Sequence, residues 1–270
     1  VPVMTDIAAL TARVPAPLRP AVLSALETFG QNAAERSWDE LPAAIQESAP
    51  AVWAASPFAA GHCARWPELL WQLAESGRLF RSQEDGEYRS LLAAALADVT
   101  AETDLMRVLR RFRNREMVRI AWRDIAGWAP LNDTLGEVTR LAESCVRAAL
   151  DVLFRQACEA RATPVNHRGE PQNLVVLGMG KLGADELNFS SDIDLIFAYR
   201  DDGELDDRRG TSYAEFYSRL ARHLVKVLDA VTEDGFVFRV DTRLRPFGDS
   251  GPLVLHFDAL ELYYQSQARE

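Results

Sequence analysis

Between Asn173 and Tyr199 the chain reads NLVVLGMGKLGADELNFSSDIDLIFAY. This is the pattern of two short apolar strands joined by a glycine-bearing turn, the second strand opening on two aspartates one residue apart. Strand side chains alternate faces, so Asp192 and Asp194 project one way while Ile193, Leu195 and Phe197 project the other. Two carboxylates side by side at the edge of so apolar a strand repel each other and desolvate badly. A hard divalent cation bound through oxygen, most simply magnesium, relieves both penalties. The stretch is therefore read as an active site and the chain as an enzyme, against the plainer reading of a solvated strand end.

Working outward, 270 residues suffice for one large or two ordinary domains, and two are expected. With 48% apolar and 26% charged residues the composition is that of a soluble globular protein, and no apolar run is long enough to cross a membrane. The opening VPVMTDIAAL has neither a basic leader nor a signal-type apolar core, and it lacks an initial Met, which suggests trimming or an internal start; a cytoplasmic protein is expected. Cys63, Cys145 and Cys158, taken with His62, His167, His223 and His256, make no zinc pattern and are expected to be reduced packing residues.

The net charge of 30 − 40 = −10 argues against a general nucleic-acid binder, whose affinity comes from neutralising phosphates. The basic residues are nonetheless clustered: Arg107, Arg110, Arg111, Arg113, Arg115, Arg119 and Arg123 crowd into one stretch. Such a stripe is ordinarily a solvated or ion-paired helix face; the alternative is a contact to a phosphate group or an acidic partner.

From Leu18 to about Leu153 the apolar spacing is helical, interrupted by Pro42, Pro50, Pro57 and Pro67 and by Gly77, Gly86, Gly127 and Gly136. Ser37 and Asp39, and farther on Asp133 or Thr134, are helix starts. The last of these helices carries Val138, Leu141, Cys145, Ala149 and Val152 on one face. Trp53, Trp66, Trp71, Trp122 and Trp128 are expected in the core rather than in a ligand cage. The polar segment Arg161–Asn173 marks a domain boundary, giving a helical domain over 1–165 and a second domain over 166–270. Past it the pattern predicts strands at Leu174–Leu177 and Asp192–Tyr199, a helix from about Ser212 to Ala230, a strand over GFVFRVDTRLR and a final helix from about Asp258. In the third strand Phe236, Phe238, Val240, Thr242 and Leu244 form one face, and Arg239, Asp241, Arg243 and Arg245 the other. Beside Asp192 and Asp194, Asp241 becomes a third metal ligand with cationic neighbours placed to hold phosphates.

Gly178, Gly180 and Gly183 match GxGxxG after a strand, with Asp201 or Asp202 some twenty residues on, so a dinucleotide-binding fold has to be weighed. Spacing tells against it, because a parallel crossover needs a helix of about a dozen residues and only Lys181 to Ser191 lie between the glycines and the next strand. The alternative is that the glycines let the backbone approach a phosphate, with Lys181 as a point charge, and that the metal-bearing strand follows at once. That is the nucleotidyltransferase fold.

Here the motifs become specific. GMGKLGADELNFSSDIDLIFAY, GFVFRVDTRLRPFGDSGPLV and LRRFRNREMVRIAWRDI resemble the amino-terminal, adenylyl-removing half of the bifunctional glutamine synthetase adenylyltransferase/adenylyl-removing enzyme family, of the nucleotidyltransferase superfamily. The resemblance covers most of the chain from about Leu105. It implies an α+β fold, an amino-terminal helical region followed by a polymerase-beta-like mixed sheet with flanking helices. It implies that Asp192, Asp194 and Asp241 bind two Mg2+ ions and carry the catalysis, and that Gly180, Lys181, Gly183 and Ser191 border the nucleotide phosphates. The second domain is then expected to be cut at its carboxy-terminal end, with the last helix fraying.

The implied reaction uses inorganic phosphate to expel a tyrosine phenolate of adenylylated glutamine synthetase from its AMP, giving ADP. Phosphate is already anionic and a phenol of pKa about 10 is a tolerable leaving group, so no strong base is needed. Anion meeting anion is the difficulty, and Arg243 or Arg245 with Lys181 would help neutralise it. A nitrogen-status signal protein is a further partner implied for the full-length enzyme; nucleic acid and membrane are not. The rivals are an adenylyl-adding unit working from ATP, and a catalytically silent nucleotide- or protein-binding module. Against the latter, a binding-only module has no need of three like charges at one point.

Overall fold

The structure is a computed structural model that describes residues 10–33, 36–84 and 86–267. Most of the amino-terminal VPVMTDIAAL, and residues 268–270 beyond the last helix, lie outside the described residues. Helices come first: α1 (Arg19–Asn32), α2 (Ala43–Ala55), α3 (Pro57–Arg65), α4 (Glu68–Glu75), α5 (Glu87–Ala95), α6 (Glu102–Ile125) and α7 (Leu131–Ala160). Then follow β1 (Val175–Met179), the single turn α8 (Gly180–Gly183), β2 (Ile193–Tyr199), α9 (Tyr213–Asp229), β3 (Val240–Asp241), β4 (Val254–His256) and α10 (Phe257–Gln267). This is the expected α+β architecture, a helical region followed by a small mixed sheet with flanking helices. Among the described residues no helix is long and apolar enough to cross a membrane.

The prolines and caps explain where the short helices begin. Pro57 opens α3, where its missing N–H has no partner to lose, and Ser56 accepts from the Ala59 N–H at 3.1 Å. Ser37 starts only a 3-10 turn, Trp38–Glu40, closed by a capping box with Glu40. Pro50 does not break its helix as expected but lies buried inside α2, beside Val52 and Trp53 of the core. Helix α7 starts at Leu131, ahead of the expected Asp133 or Thr134, because the Thr134 hydroxyl is turned inward onto Asp124 at 3.0 Å. Its Val138, Leu141, Cys145, Ala149 and Val152 are all buried, as the spacing required.

Two compact units emerge: Val1–Glu87 with Phe112–Val138, and Tyr88–Arg111 with Thr139–Glu270. They are drawn elsewhere than at 165/166, since α6 and α7 contribute residues to both. Arg161–Asn173, the expected boundary, is instead stitched into the second unit. Tyr213 Oη donates to the Val165 carbonyl at 3.1 Å, Tyr217 Oη to that of Gln172 at 2.7 Å, and Gln172 exchanges two hydrogen bonds with the Asp201 backbone.

The first unit is built on aromatic packing. Phe29 meets Trp38 at 5.3 Å and Trp71 at 5.2 Å between ring centroids, and Trp53 joins Trp38 at 5.7 Å. Trp53, Trp71 and Trp122 are buried core residues as expected, joined by Phe29 and Trp38, while Trp66 and Trp128 are only half-buried. Cys63 is fully buried, and burial pushes its thiol up to about 12, the behaviour of an inert packing residue. The arginine stripe is divided: Arg107 and Arg111 are exposed and pair with Asp104 and Asp234, whereas Arg110, Arg113, Arg119 and Arg123 are buried. Glu116 and Glu137, both buried, hold Arg78, Arg119 and Arg123: Arg78 and Arg119 meet Glu116 Oε2 at 2.7 and 2.9 Å, and Arg123 meets Glu137 Oε1 at 2.7 Å. Arg119 also bonds Glu137.

At the rim of this network Arg81 grips Glu87 with two hydrogen bonds of 2.8 Å, and chiefly for that reason the Glu87 carboxyl falls to about 2. A carboxyl depressed in the folded state stabilises it above the unfolded pKa and loses that contribution as pH falls through the folded value. Stability measured by urea titration should therefore fall between about pH 4.5 and pH 2, and Glu87→Gln should flatten that acid limb.

In the second unit Arg110 is fully buried and donates to the carbonyls of Met106, Val227, Ala230 and Gly235. Val227 and Ala230 end α9, so the guanidinium satisfies carbonyls that a helix terminus leaves without partners. The sheet is centred on β2. Antiparallel β1 flanks one side, with Val175 opposite Ala198 and Met179 opposite Asp194. On the other side β3 and β4 pair in parallel with its two ends, β3 at Ile193–Asp194 and β4 at Phe197–Tyr199. Both faces of β2 are covered: Ile196 and Ala198 pack with Leu260 of α10, and Tyr199 stacks on Tyr217 of α9 at 5.1 Å. The expected eleven-residue third strand shrinks to Val240–Asp241. Before it, the Val237 and Phe238 amides both donate to Leu228; after it, the Arg243 amide donates to Asp241 Oδ1 and turns the chain away. The expected two-face alternation fails with it, for Val237 is buried and Leu244 is 52% exposed.

Candidate active site

The register of β2 against its neighbours assembles the site. Asp194 stands opposite Asp241 on one side and Met179 on the other, and directly opposed residues of paired strands project to the same face. Asp192, two residues earlier, shares that face, as the alternation predicted. The three aspartates read from the sequence are thus brought to one sheet edge.

The glycine turn comes down onto Asp194. Gly180 has φ of 54°, a left-handed conformation that glycine adopts without strain, and a Cβ there would stand 2.8 Å from Asp194 Oδ2. At Gly183 a Cβ would meet the Gly178 carbonyl at 2.5 Å, so this glycine is required to close the turn on its own strand. Gly183 also lines, with Leu182, Leu195 and Arg140, a cavity of about 680 Å³ whose lining includes none of the three aspartates. Because β1 and β2 are antiparallel and α8 is one turn long, the dinucleotide-binding alternative is excluded by topology.

Electrostatically the three carboxylates differ. Asp192 Oδ1 receives Arg239 Nε at 2.5 Å, and the same guanidinium reaches the Ser190 carbonyl at 2.6 Å. Asp241 is forked by Arg243 and also accepts the Arg243 backbone N–H, and these bonds hold its carboxyl below the usual range. Among the described residues Asp194 has no hydrogen bond to an arginine, though the Arg243 charge acts on it from a distance. Burial first, then the charges of Asp241 and Asp192, push its carboxyl up.

Among the described residues no group of three acidic, histidine or cysteine side chains is arranged as a ready metal cage, and two of the three carboxylates are paired with arginines. The donor set nevertheless fits a hard divalent cation. It consists of oxygen ligands only, adjacent across one ladder, and a carboxyl whose pKa is raised by like charges is what a cation would relieve.

The remaining predicted residues fall into two groups. Lys181 is exposed on α8, and its ammonium has no hydrogen-bond or ion-pair partner among the described residues. Ser191 gives its hydroxyl to Asn188 Oδ1 at 2.8 Å, just ahead of Asp192. Arg243 is 73% exposed and lies over Asp241. Arg245, by contrast, is 11% exposed and turned inward, donating to Thr242 O and Oγ1 at 2.8 and 2.9 Å. Sequence reasoning passed over Asn188, and it placed Arg239 among the cations beside Asp241 without its pairing to Asp192. Asn188 accepts from both the Ser190 amide and the Ser191 hydroxyl and shapes the entry to β2; an Asn two or three residues ahead of a pair of serines, in the turn before the strand, is the available signal. Nothing local marks Arg239 as the partner of Asp192, which is 47 residues away.

Residues 46–270 match the sequence profile of the glutamate-ammonia ligase adenylyltransferase family. The chain is also similar to curated proteins named bifunctional glutamine synthetase adenylyltransferase/adenylyl-removing enzyme. The one from Nitrosococcus oceani is 56% identical over 221 residues, covering 81% of this chain and 23% of that protein. The one from Methylococcus capsulatus is 61% identical over 179 residues, 66% of this chain and 19% of that protein. The one from Thioalkalivibrio sulfidiphilus is 47% identical over 259 residues, 95% of this chain and 26% of that protein. The chain spans about a quarter of the length of the curated relatives it matches.

Proposed function

Because the chain belongs to the glutamate-ammonia ligase adenylyltransferase family, we propose that it is a nucleotidyltransferase unit that removes AMP from an adenylylated tyrosine of glutamine synthetase by phosphorolysis. The observation that carries this reading is the register of Asp194 against Asp241 with Gly180 pressed on the Asp194 carboxylate. In the reaction an oxygen of inorganic phosphate forms a bond to the adenylyl phosphorus. The bond from that phosphorus to the tyrosine oxygen breaks, and ADP and tyrosine phenolate, protonated by solvent, leave. Asp192, Asp194 and Asp241 would hold Mg2+, which when bound supplies positive charge to the phosphoryl oxygens.

The chain's own residues supply the rest. The glycine turn lets the backbone come close to the phosphoryl group beside Asp194, where a larger residue at 180 would strike the carboxylate. Lys181 is a cation not committed to any internal pair, so it is free to meet the incoming phosphate. Arg239 and Arg243 pair with Asp192 and Asp241; with a cation held by those carboxylates, the two guanidiniums would be placed to meet anionic phosphoryl oxygens. Arg245, tied into its loop, serves to shape that loop. Lys181→Ala should accordingly lower kcat/KM for phosphate by about 1.5–3 kcal/mol, the scale of a lost charged hydrogen bond, with a smaller effect on AMP binding.

The deciding experiment incubates the chain with adenylylated glutamine synthetase, Mg2+ and phosphate and looks for ADP. The second reading is adenylyl addition, which the relatives' names also carry. Transfer of AMP from ATP to unmodified glutamine synthetase, with no ADP released in the first assay, would assign the unit to addition instead. Absence of both activities, with the fold intact, would favour a silent binding module.

A further inference from the structure

After Asp241 the chain winds through consecutive tight turns, the Arg245 amide donating to the Thr242 carbonyl at 3.2 Å and the Gly248 amide to the Arg245 carbonyl at 2.9 Å. Phe247 sits in this loop with φ of 62° and is 60% exposed. A bulky residue in the left-handed region is an outlier, and such strain persists only where the surroundings over-determine it. Here they do. The Arg245 guanidinium braces Thr242 from inside the loop, Ser250 Oγ donates to the Phe247 carbonyl at 2.7 Å, and a Cβ on Gly251 would stand 2.2 Å from the Pro246 carbonyl oxygen. Nothing in folding calls for an exposed aromatic ring at this position, where Gly or Asn would be unstrained.

The Phe247 ring is not loose. It meets Tyr263 of α10 at 4.8 Å, with planes 67° apart, and Tyr263 in turn meets Tyr264 at 5.5 Å. Leu244, 52% exposed, extends the apolar surface of the same loop. The position of this ledge follows from the sheet. Leu260 of α10 packs on Ile196 and Ala198, which alternate with their neighbours onto the face of β2 that carries Asp192 and Asp194. Tyr263 lies one helical turn beyond Leu260. An aromatic ledge therefore lies on the loop that follows Asp241 and on the helix packed against the carboxylate face of the sheet.

We propose that Phe247, backed edge-on by Tyr263, is the platform on which the purine ring of the adenylyl group stacks while its phosphate lies at Asp194 and Asp241. This rests on the nucleotidyl reading of the site and adds to it the binding of the base. The purine is joined covalently to the reacting phosphate and is common to substrate and product. A platform on the loop that follows Asp241 in the same chain suits it better than the tyrosine ring, which arrives on another protein. Every base offers a π-face, and an exposed aromatic with no charged group on its own ring contacts is the simplest complement to one.

The test measures binding of ADP, AMP and inorganic pyrophosphate to the whole chain by calorimetry in Mg2+. Phe247→Ala should weaken ADP and AMP about tenfold and leave pyrophosphate unchanged, and Phe247→Tyr, which restores a ring, should keep ADP within about twofold of the parent. Unchanged ADP affinity in Phe247→Ala overturns the proposal. Equal losses of ADP and pyrophosphate overturn it as well, since they would mean that the ring only shapes the loop. If Phe247→Ala keeps ADP affinity but raises KM for adenylylated glutamine synthetase, the ledge serves the tyrosine and not the purine. A parent chain that binds pyrophosphate as tightly as ADP sinks the ledge and leaves the phosphate site standing. One that binds neither sinks the nucleotidyl reading itself.

Discussion

Asp194→Asn is expected to reduce turnover at least about a thousandfold, the upper scale for losing one preorganised electrostatic contact at a reacting centre. Among the described residues Asp194 is the member of the trio without an arginine ion pair, and it lies between the glycine turn and Asp241. Its amide isostere keeps the shape of the site but removes one of the negative charges that would hold Mg2+ beside the phosphoryl group. The protein itself should fold at least as well as the parent. The Asp194 carboxyl is pushed up by burial and by its two neighbours, so the charge being removed is unfavourable to the metal-free fold. Rates should be compared at saturating and limiting Mg2+, alongside thermal midpoints without metal. A variant with near-parental rates at both Mg2+ concentrations would mean that the aspartates do not form a metal-dependent centre.

Glu137→Ala should destabilise the first unit by about 3–5 kcal/mol, an effect of a different origin. Glu137 is 1% exposed and is the shared partner of Arg119 and Arg123, themselves 0% and 4% exposed. It also accepts the Gln83 backbone N–H at 3.1 Å. Deleting the carboxylate leaves two guanidiniums in the interior with one fewer counter-charge and no route to water. The control is Glu84→Ala, whose side chain is 79% exposed and only 4.0 Å from Arg81 at its nearest; it should change stability by less than about 1 kcal/mol. Urea unfolding followed by tryptophan fluorescence reads both, since the rings of the first core report directly on its packing. A loss below about 1 kcal/mol in Glu137→Ala would mean that the buried pairs are wet or easily rearranged.

These two sites were unequally visible beforehand. The aspartate pair could be read because a strand has a period of two, so DID places both carboxylates on one face whatever the strand packs against. The glycine turn could be read because only eleven residues separate Gly180 from Asp192, too few for a crossover helix. Helix α9 was likewise legible from its amphipathic spacing and its Ser212 cap, which accepts from the Glu215 N–H. The third strand was not. Its alternating sequence suits a long strand, but a strand lasts only as long as its partner. Here β2 begins at Ile193, and the Asp241 side chain captures the next turn. The arginine stripe was legible as a stripe, but not which of its members are interior. Whether a cation on a helix faces water or a buried glutamate depends on Glu116 and Glu137 being delivered to it by other turns of the chain.

The sequence by itself, then, determined the local terms: periodicities, caps, the short glycine connection, the pair of carboxylates on one face, and the family motifs. Each of these follows from residues within a few positions of one another, where backbone geometry alone decides direction. Tertiary structure decided which cations pair with which acids, where the compact units divide, and that Asp241 stands beside Asp194 rather than merely on the same kind of strand. It also decided that Phe247 is held out in a left-handed conformation against Tyr263. These outcomes depend on contacts between distant segments, whose energies arise only once burial has removed water from between the groups concerned.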